Sequence, residues 1–355
     1  CLARARLQGY SSPRFSVPRR APVGGPRMSK LVTIFGGSGF VGRYIARRMA
    51  KEGWRVRVAC RRPNEALFVR PYGVPGQVEP LACNIRDDAS VRSMIRGADA
   101  VVNCVGVFNG IGANTFDAVQ AEGAGRIARL AAAEGVGALV HVSAIGADAG
   151  ADSDYARTKG AGEAAVRAAF PAAVILRPSV IFGTEDHFFN RFASMTRMGP
   201  VLPIVGAGTK FQPVHVDDVA RAAVKGVLGQ AGADVYELGG PEADSLRRLM
   251  GRMLHVIQRR RAVVNVPFFL ARIIGFGFDM VQGVTLGLVE NKILTRDQVK
   301  NLRHDNVVAP GAKGLADLGI TPTAMEAVLP EYLWRYRPSG QYAAIKDSAK
   351  NLKKA

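Results

Sequence analysis

From Met28 onward the chain alternates short apolar runs with stretches of helical periodicity. Residues 31–35 (LVTIF) form a largely apolar run of strand length. Comparable runs follow at 54–59, 78–82, 100–105, 138–143 and 173–177. The first run, apolar at four of its five positions, reads as a parallel strand buried on both faces. Helical stretches separate them, the first over 41–51. Strand and helix in alternation predict an α/β fold: a Rossmann-type doubly wound parallel sheet.

Beyond about residue 240 the alternation ends, which predicts a smaller, mainly helical C-terminal lobe and an extended tail. Asp244-Ser245 opens a helix through Val256. An apolar stretch follows over 263–289, bearing Pro267, Phe268, Phe269, Leu270, Ile273, Ile274, Phe276, Phe278 and Met280. Thr295-Arg-Asp-Gln298 opens another helix, 315–320 reads as a connector, and 323–333 as a final amphipathic helix. The expected division is a disordered basic leader (1–28), a dinucleotide-binding domain (29–240), the lobe (241–335) and a basic tail (336–355). Pro267, Arg272, Asp279 and several glycines interrupt 263–289, so it does not read as a membrane span. Two readings stay open for it: a surface-seeking amphipathic segment, or the core of the small lobe.

Composition adds two constraints. At 355 residues with 48% hydrophobic and 22% charged, the chain is neither disordered, fibrous nor disulfide-stapled. Cys1, Cys60, Cys83 and Cys104 form no CxxC pair, so no metal site is expected and a reducing compartment is. The net charge of +19 favours a polyanionic neighbour. Six of those charges lie in residues 1–27, which carry no acid and no apolar run long enough for a secretory signal. The stretch reads as a mis-called start, a leader or a docking arm, with Met28 a candidate initiator. No helix-turn-helix, zinc spacing or aromatic RNA-binding strand accompanies the charge, so no nucleic-acid partner is expected.

The first strand runs straight into Gly36-Gly-Ser-Gly39-Phe-Val-Gly42 and then a helix. In that setting Gly36 permits the tight turn, Gly39 lets backbone approach a pyrophosphate, and Gly42 lets the helix pack close. The helix N-terminus offers its free N–H groups to the anion. The second strand ends in Cys60-Arg61-Arg62, without the acid that would bind a ribose 2′-hydroxyl. Guanidinium groups at Arg61 and Arg62 suit a 2′-phosphate, which selects NADPH over NADH. Asn84, after the third strand, falls where an adenine edge would lie. Val105 and Gly106, after the fourth, fall beside the cofactor ribose.

Tyr155 and Lys159 stand one helical turn apart on one face, after a strand ending in Ser143. An ammonium near a phenol lowers its pKa, which suits Tyr155 as acid/base, Lys159 as ribose ligand and Ser143 as carbonyl donor in hydride transfer. His215 reads as a core histidine, and the paired Asp217 and Asp218 as helix-capping residues.

The glycine loop, Tyr155/Lys159, Arg177-Pro-Ser-Val-Ile-Phe-Gly183 and Val214-His-Val-Asp-Asp-Val219 together resemble the extended and atypical short-chain dehydrogenase/reductases. Within these, the run 181–195, with Gly199-Pro200, Gln212-Pro-Val214 and Asp317-Leu-Gly-Ile320, is similar to the nucleotide-binding accessory subunits of respiratory complex I. The resemblance implies tightly held NADPH and no established turnover. It places such a chain among other complex I subunits around the quinone region, where the peripheral and membrane arms meet. It also implies a peripheral location, on the cytoplasmic face of a bacterial inner membrane or the mitochondrial matrix side, with the apolar C-terminal segment on the membrane surface. Carried over position by position, its cofactor contacts fall on Gly36, Gly39, Phe40, Val41, Arg61, Asn84, Tyr155, Lys159 and the backbone near Pro178. Two departures stand out: few hydroxyls follow Ser143 in Ser143-Ala-Ile145, and Asn84 replaces a common aspartate. A vestigial Ser143, Tyr155 and Lys159 is one expectation. An active NADPH-dependent reductase or epimerase is the other.

Overall fold

The computed structural model describes residues 29–108, 110, 112–284 and 295–342. The leader, the end of the apolar stretch and the tail past 342 lie outside them. The first body is built from β1 (Leu31–Phe35), α1 (Phe40–Lys51), β2 (Arg55–Cys60), β3 (Val78–Ala82), α2 (Asp88–Ile95), β4 (Ala100–Asn103), α3 (Glu122–Ala133), β5 (Ala138–Val142), α4 (Asp154–Ala169) and β6 (Val174–Pro178). Then come β7 (Ile181–Phe182), α5 (Phe189–Met195), β8 (Val201–Val205), β9 (Lys210–Phe211), β10 (Val214–His215), α6 (Val216–Val227) and β11 (Val235–Leu238). The chain continues through β12 (Asp244–Ser245), α7 (Leu246–Val256), β13 (Ala262–Val266), α8 (Phe268–Val284), α9 (Arg296–Asn301) and α10 (Met325–Leu333).

The main sheet has seven parallel strands in the order β11-β6-β5-β4-β1-β2-β3. The order reverses between β1 and β4, and α/β sheets bind ligands outside the carboxyl ends of strands at such a switch point. Successive strand residues serve opposite faces. Ile34, Val58, Val102 and Val140 pack under α1 and α6 with Ile45, Met49, Val219 and Ala223. Phe35, Ala59, Val101 and Leu139 pack on the other side with Val91, Ile95, Ile127 and Leu130 from α2 and α3. Each Val, Leu, Ile, Met or Phe side chain so removed from water contributes about 1.5–3 kcal/mol, so both faces hold the sheet rigid behind the loops at its carboxyl edge.

A second core joins Phe182, Phe189 and Leu202 to Leu249, Met253, Leu329 and Leu333. The lobe therefore draws on residues 181–211 as well as on those after 244, because the chain crosses over before α6 and β11 complete the sheet. It also contains three two-stranded pairs, β10-β7, β12-β9 and β13-β8, that sequence periodicity did not show. The strands of the first two pairs are two residues long, too short for a visible period, whereas β8 and β13 pair over five residues each. At the end of the described chain, residues 334–336 and 340–342 form tight helical turns, where an extended arm was expected from 336.

Candidate dinucleotide site

The glycine loop has the conformation that its spacing implies. Gly36 takes a positive φ of 74°, open to glycine at little cost. A Cβ there would meet the Cys104 carbonyl carbon and the Val105 nitrogen at 3.2 Å, so this glycine lets the end of β4 close against the loop. At Gly42 a Cβ would lie 2.3 Å from the Gly36 oxygen: the first turn of α1 rests on its own loop. Gly39 is the N-cap of α1, with extended backbone and no side-chain cap, and the first turn carries no acid. Its donors and the positive end of the helix dipole are left to an anion. Phe40 packs edge-on to Tyr44 at 6.2 Å, and its ring tip lies 3.3 Å from where a Gly183 Cβ would be. Val41 packs half-buried on the first core.

At the carboxyl ends of β2 and β3, a cavity of about 430 Å³ is lined by Arg61, Ala82, Cys83, Asn84, Arg86, Ser90 and Asn114. Arg61 and Asn84 thus line the same cavity. Arg62 does not: its guanidinium turns outward to Glu65 at 3.1 Å, with both side chains well exposed. Successive strand-end residues point in opposite directions, so only one of two adjacent arginines can enter the cavity. Asn84 Oδ1 accepts from the Arg86 N–H, and the Asn84 N–H donates to Ser90 Oγ. Arg86, Ser90 and Asn114 were missed, because none lies in a strand-terminal motif.

At the other end, β4 and β5 present their carboxyl termini. Gly106 faces Lys159 closely enough that a Cβ there would lie 3.4 Å from Nζ. Lys159 is buried and donates to the Val142 carbonyl at 3.2 Å. Burial pulls its pKa down to about 8, against partial support from Cys104 and Glu163. Tyr155 lies between Phe108, stacked at 5.6 Å, and Phe116, edge-on at 6.4 Å. Burial pushes its phenol up to about 12. This corrects the expected phenolate: the aromatic clasp disfavours the anion, and the ammonium is directed at the Val142 carbonyl. Ser143 Oγ is buried without a hydrogen-bond partner among the described residues. A buried hydroxyl in that state invites a polar group, and a bound ribose or carboxamide fits it. Pro178 closes β6, and its carbonyl accepts from the Ile145 N–H at 3.0 Å, holding the loop after Ser143.

A polar pair that the apolar pattern concealed lies behind these residues. Asn103 on β4 and His141 on β5 are register partners, and Asn103 Nδ2 donates to His141 Nδ1 at 3.1 Å. Burial, with Lys159 nearby, lowers the imidazole to about 3 and keeps it neutral. Asn103 Oδ1 also accepts from the Val105 N–H, which shapes the turn at Val105-Gly106. Gln120, in a π-helical turn over 117–121, ties the Val107 carbonyl at 2.6 Å. Such single-turn π segments recur at functional sites.

The expected capping by Asp217 and Asp218 is also corrected. His215 occupies the N-cap position of α6 and makes no side-chain cap bond. Asp217 pairs with Arg48 of α1, and Asp218 accepts from the Thr323 N–H at 2.7 Å. They fasten α6 to α1 and to the lobe from the first turn. In the run 181–195, the buried Asp186 accepts from the N–H groups of Gly183, Phe188 and Asn190 and from the Tyr332 hydroxyl. That arrangement fixes the crossover into the lobe. Within 263–289 the described side chains divide: Val263 packs on the second core, and Ala271 of α8 is buried. Phe269, Ile273 and Phe276 of α8 are 68%, 63% and 52% exposed, so this helix face is not lobe core. No helix among the described residues is long and apolar enough to cross a membrane.

The loop, the Arg61 cavity and the Ser143–Lys159 end all lie at the carboxyl ends of strands flanking the switch point, and they supply the parts a pyridine dinucleotide needs. Residues 32–239 match the family model described as the NAD dependent epimerase/dehydratase family. The chain belongs to that family. Among its relatives, the NADH dehydrogenase [ubiquinone] 1 alpha subcomplex subunit 9 of Arabidopsis thaliana is 33% identical over 316 residues, covering 87% of this chain and 79% of that one. The ceramide reductase of Caulobacter vibrioides is 32% identical over 244 residues, covering 67% and 74%. A dTDP-glucose 4,6-dehydratase from Streptomyces venezuelae, solved with NAD bound, shares the fold with a TM-score of 0.66 at 20% identity, over 88% of this chain and 99% of that one.

Proposed function

We propose that this family member is a non-catalytic accessory subunit of respiratory complex I that holds NADPH as a standing part of its structure. The observation that carries the reading is the reach of the Arabidopsis match. It extends over 316 residues, well past the 208 spanned by the family domain and so into the lobe. The site chemistry supports it. Burial raises the Tyr155 phenol to about 12, which makes it a weaker proton donor to a substrate carbonyl than an unperturbed tyrosine. NADPH would be held by the α1 N-terminus, Arg61 and Asn84 at the adenosine end, and by Tyr155, Lys159 and Ser143 at the nicotinamide ribose. Such a cofactor supplies a hydride donor in principle. Here its binding stabilises the fold by mass action. We place the chain at the junction of the peripheral and membrane arms near the quinone site, among the subunits there. It would lie peripherally on the cytoplasmic face of a bacterial inner membrane or on the mitochondrial matrix side, with the exposed face of α8 against the lipid surface.

The test is affinity purification from detergent-solubilised membranes, followed by denaturation and identification of the released nucleotide. NADPH and quinone-reducing activity should co-purify with the chain. Arg61→Asp should lower NADPH retention about 10–100-fold, the worth of a charge-assisted phosphate contact, and leave NADH affinity little changed. A chain that purifies empty and never sediments with membranes overturns the proposal. The similarity to a ceramide reductase favours a second reading, an active NADPH-dependent reductase. Turnover of a carbonyl or quinone panel that Tyr155→Phe abolishes would establish it instead.

A further inference from the structure

We propose that Asp297, in the lobe, is a positioning residue for the nicotinamide half of the dinucleotide, and that it links that half to the seating of α8. The inference rests on the reading of the cleft as a dinucleotide site. A helix start leaves its first N–H groups without intrahelical partners. At α4, the helix that carries Tyr155 and Lys159, a carboxylate 143 residues away takes two of them. Asp297 Oδ1 accepts from the Asp154 N–H at 2.7 Å and Oδ2 from the Tyr155 N–H at 3.1 Å. Oδ2 also accepts from the Ser153 hydroxyl at 2.9 Å. That hydroxyl's own cap bond to the Ala156 N–H is long, at 3.4 Å, so the stronger cap comes from the lobe. Lys300, one turn on from Asp297, donates to the Asp152 carbonyl at 2.9 Å. A carboxylate at this end of a helix is also favoured by the dipole.

The first turn of α4 sets where Tyr155 stands, and Lys159 follows one turn later on the same face. The other side of the link is α8. Gly275 lets that helix come so near α9 that a Cβ would lie 3.3 Å from the Arg296 nitrogen. The Arg296 guanidinium sits 5.2 Å over the Phe276 ring. Asp297 therefore stands between an exposed apolar helix and the nicotinamide end of the cleft. Among the described residues, the hydrogen bonds of Asp297 go to 153–155 and not to the adenosine end at β2 and β3. Any coupling is reciprocal: seating α8 tightens the nicotinamide half, and the bound cofactor steadies α8.

Full-length wild type, Asp297→Asn and Asp297→Glu are compared with two ligands: NADPH, and 2′,5′-ADP, which has the phosphorylated adenosine but no nicotinamide riboside. Asp297→Asn is expected to bind NADPH about tenfold more weakly, the scale of a lost charged cap, and 2′,5′-ADP within about twofold of wild type, with Asp297→Glu in between. Amide exchange at 154–156 should quicken in Asp297→Asn, and protection of 268–277 on adding NADPH should appear only in wild type. Unchanged NADPH affinity, or equal loss for both ligands, overturns the proposal while leaving the cofactor reading standing. A wild type that binds neither ligand overturns both. Should Asp297→Asn fail to fold, Ser153→Ala removes one of the three bonds. It is expected to show the same ligand split at about threefold, and no split overturns the proposal.

Discussion

Lys159→Met is expected to stabilise the nucleotide-free protein near neutral pH, although it removes a hydrogen bond. The folded protein holds the ammonium at a pKa of about 8 against an ordinary value of 10.5. At about 1.4 kcal/mol per tenfold change in protonation, the charged side chain costs the native state ~3 kcal/mol below pH 8. Set against this is the hydrogen bond to Val142, about 1 kcal/mol net. The net gain on replacement is therefore about 2 kcal/mol. The sign follows from proton counting. Between pH 8 and 10.5 the unfolded chain holds this proton and the folded chain has lost it, so wild-type stability rises with pH across that window. Cys104 and Tyr155, pushed up to about 12 by burial, work in the opposite sense above pH 9. Tyr155 does so equally in both proteins and cancels in the difference, while Cys104, which the Lys159 charge lowers, cancels only in part. Urea unfolding of both chains at pH 7, 9 and 10.5 measures it. The advantage of Lys159→Met should be largest at pH 7 and shrink toward pH 10.5. A destabilised variant at pH 7, or a difference that does not move with pH, refutes the argument that Lys159 is held at a cost for a ligand to relieve.

Two other substitutions test the frame around the site. Gly42→Ala would put a methyl 2.3 Å from the Gly36 carbonyl oxygen, where both partners are backbone. A loss of about 1–3 kcal/mol by thermal melting, together with loss of bound nucleotide, is expected, and an unchanged melt would contradict the close approach. Glu163→Gln breaks a two-point ion pair with Arg177, at 2.9 and 2.7 Å, that also reaches Glu237 at 3.6 Å across the β6–β11 register. Since Glu163 is buried, unfolding should be easier by about 3 kcal/mol, and a change below 0.5 kcal/mol would show that Glu237 alone satisfies the guanidinium.

Much of the site was legible because its requirements are local. A positive φ at Gly36, a close approach at Gly42 and a basic strand end at Arg61 are each properties of a few consecutive residues, so spacing reveals them. The exclusion of Arg62 from the cavity, the protonated state of Tyr155 and the Asn103–His141 pair were not legible. Each depends on which residues from other strands and loops meet it: Glu65 for Arg62, Phe108 and Phe116 for Tyr155, strand register for the buried pair.

The same distinction holds for the chain as a whole. Apolar runs of strand length, separated by helices and opened by a glycine loop, by themselves determined a doubly wound sheet with a dinucleotide cleft, because burial on both faces leaves a local imprint on composition. Tertiary structure alone decided that residues 181–211 share a core with those after 244, that α8 shows Phe269, Ile273 and Phe276 to the outside, and that a carboxylate from α9 caps the helix bearing Tyr155 and Lys159. Contacts between residues more than a hundred positions apart leave no periodic trace, since only the folded sheet brings them within reach.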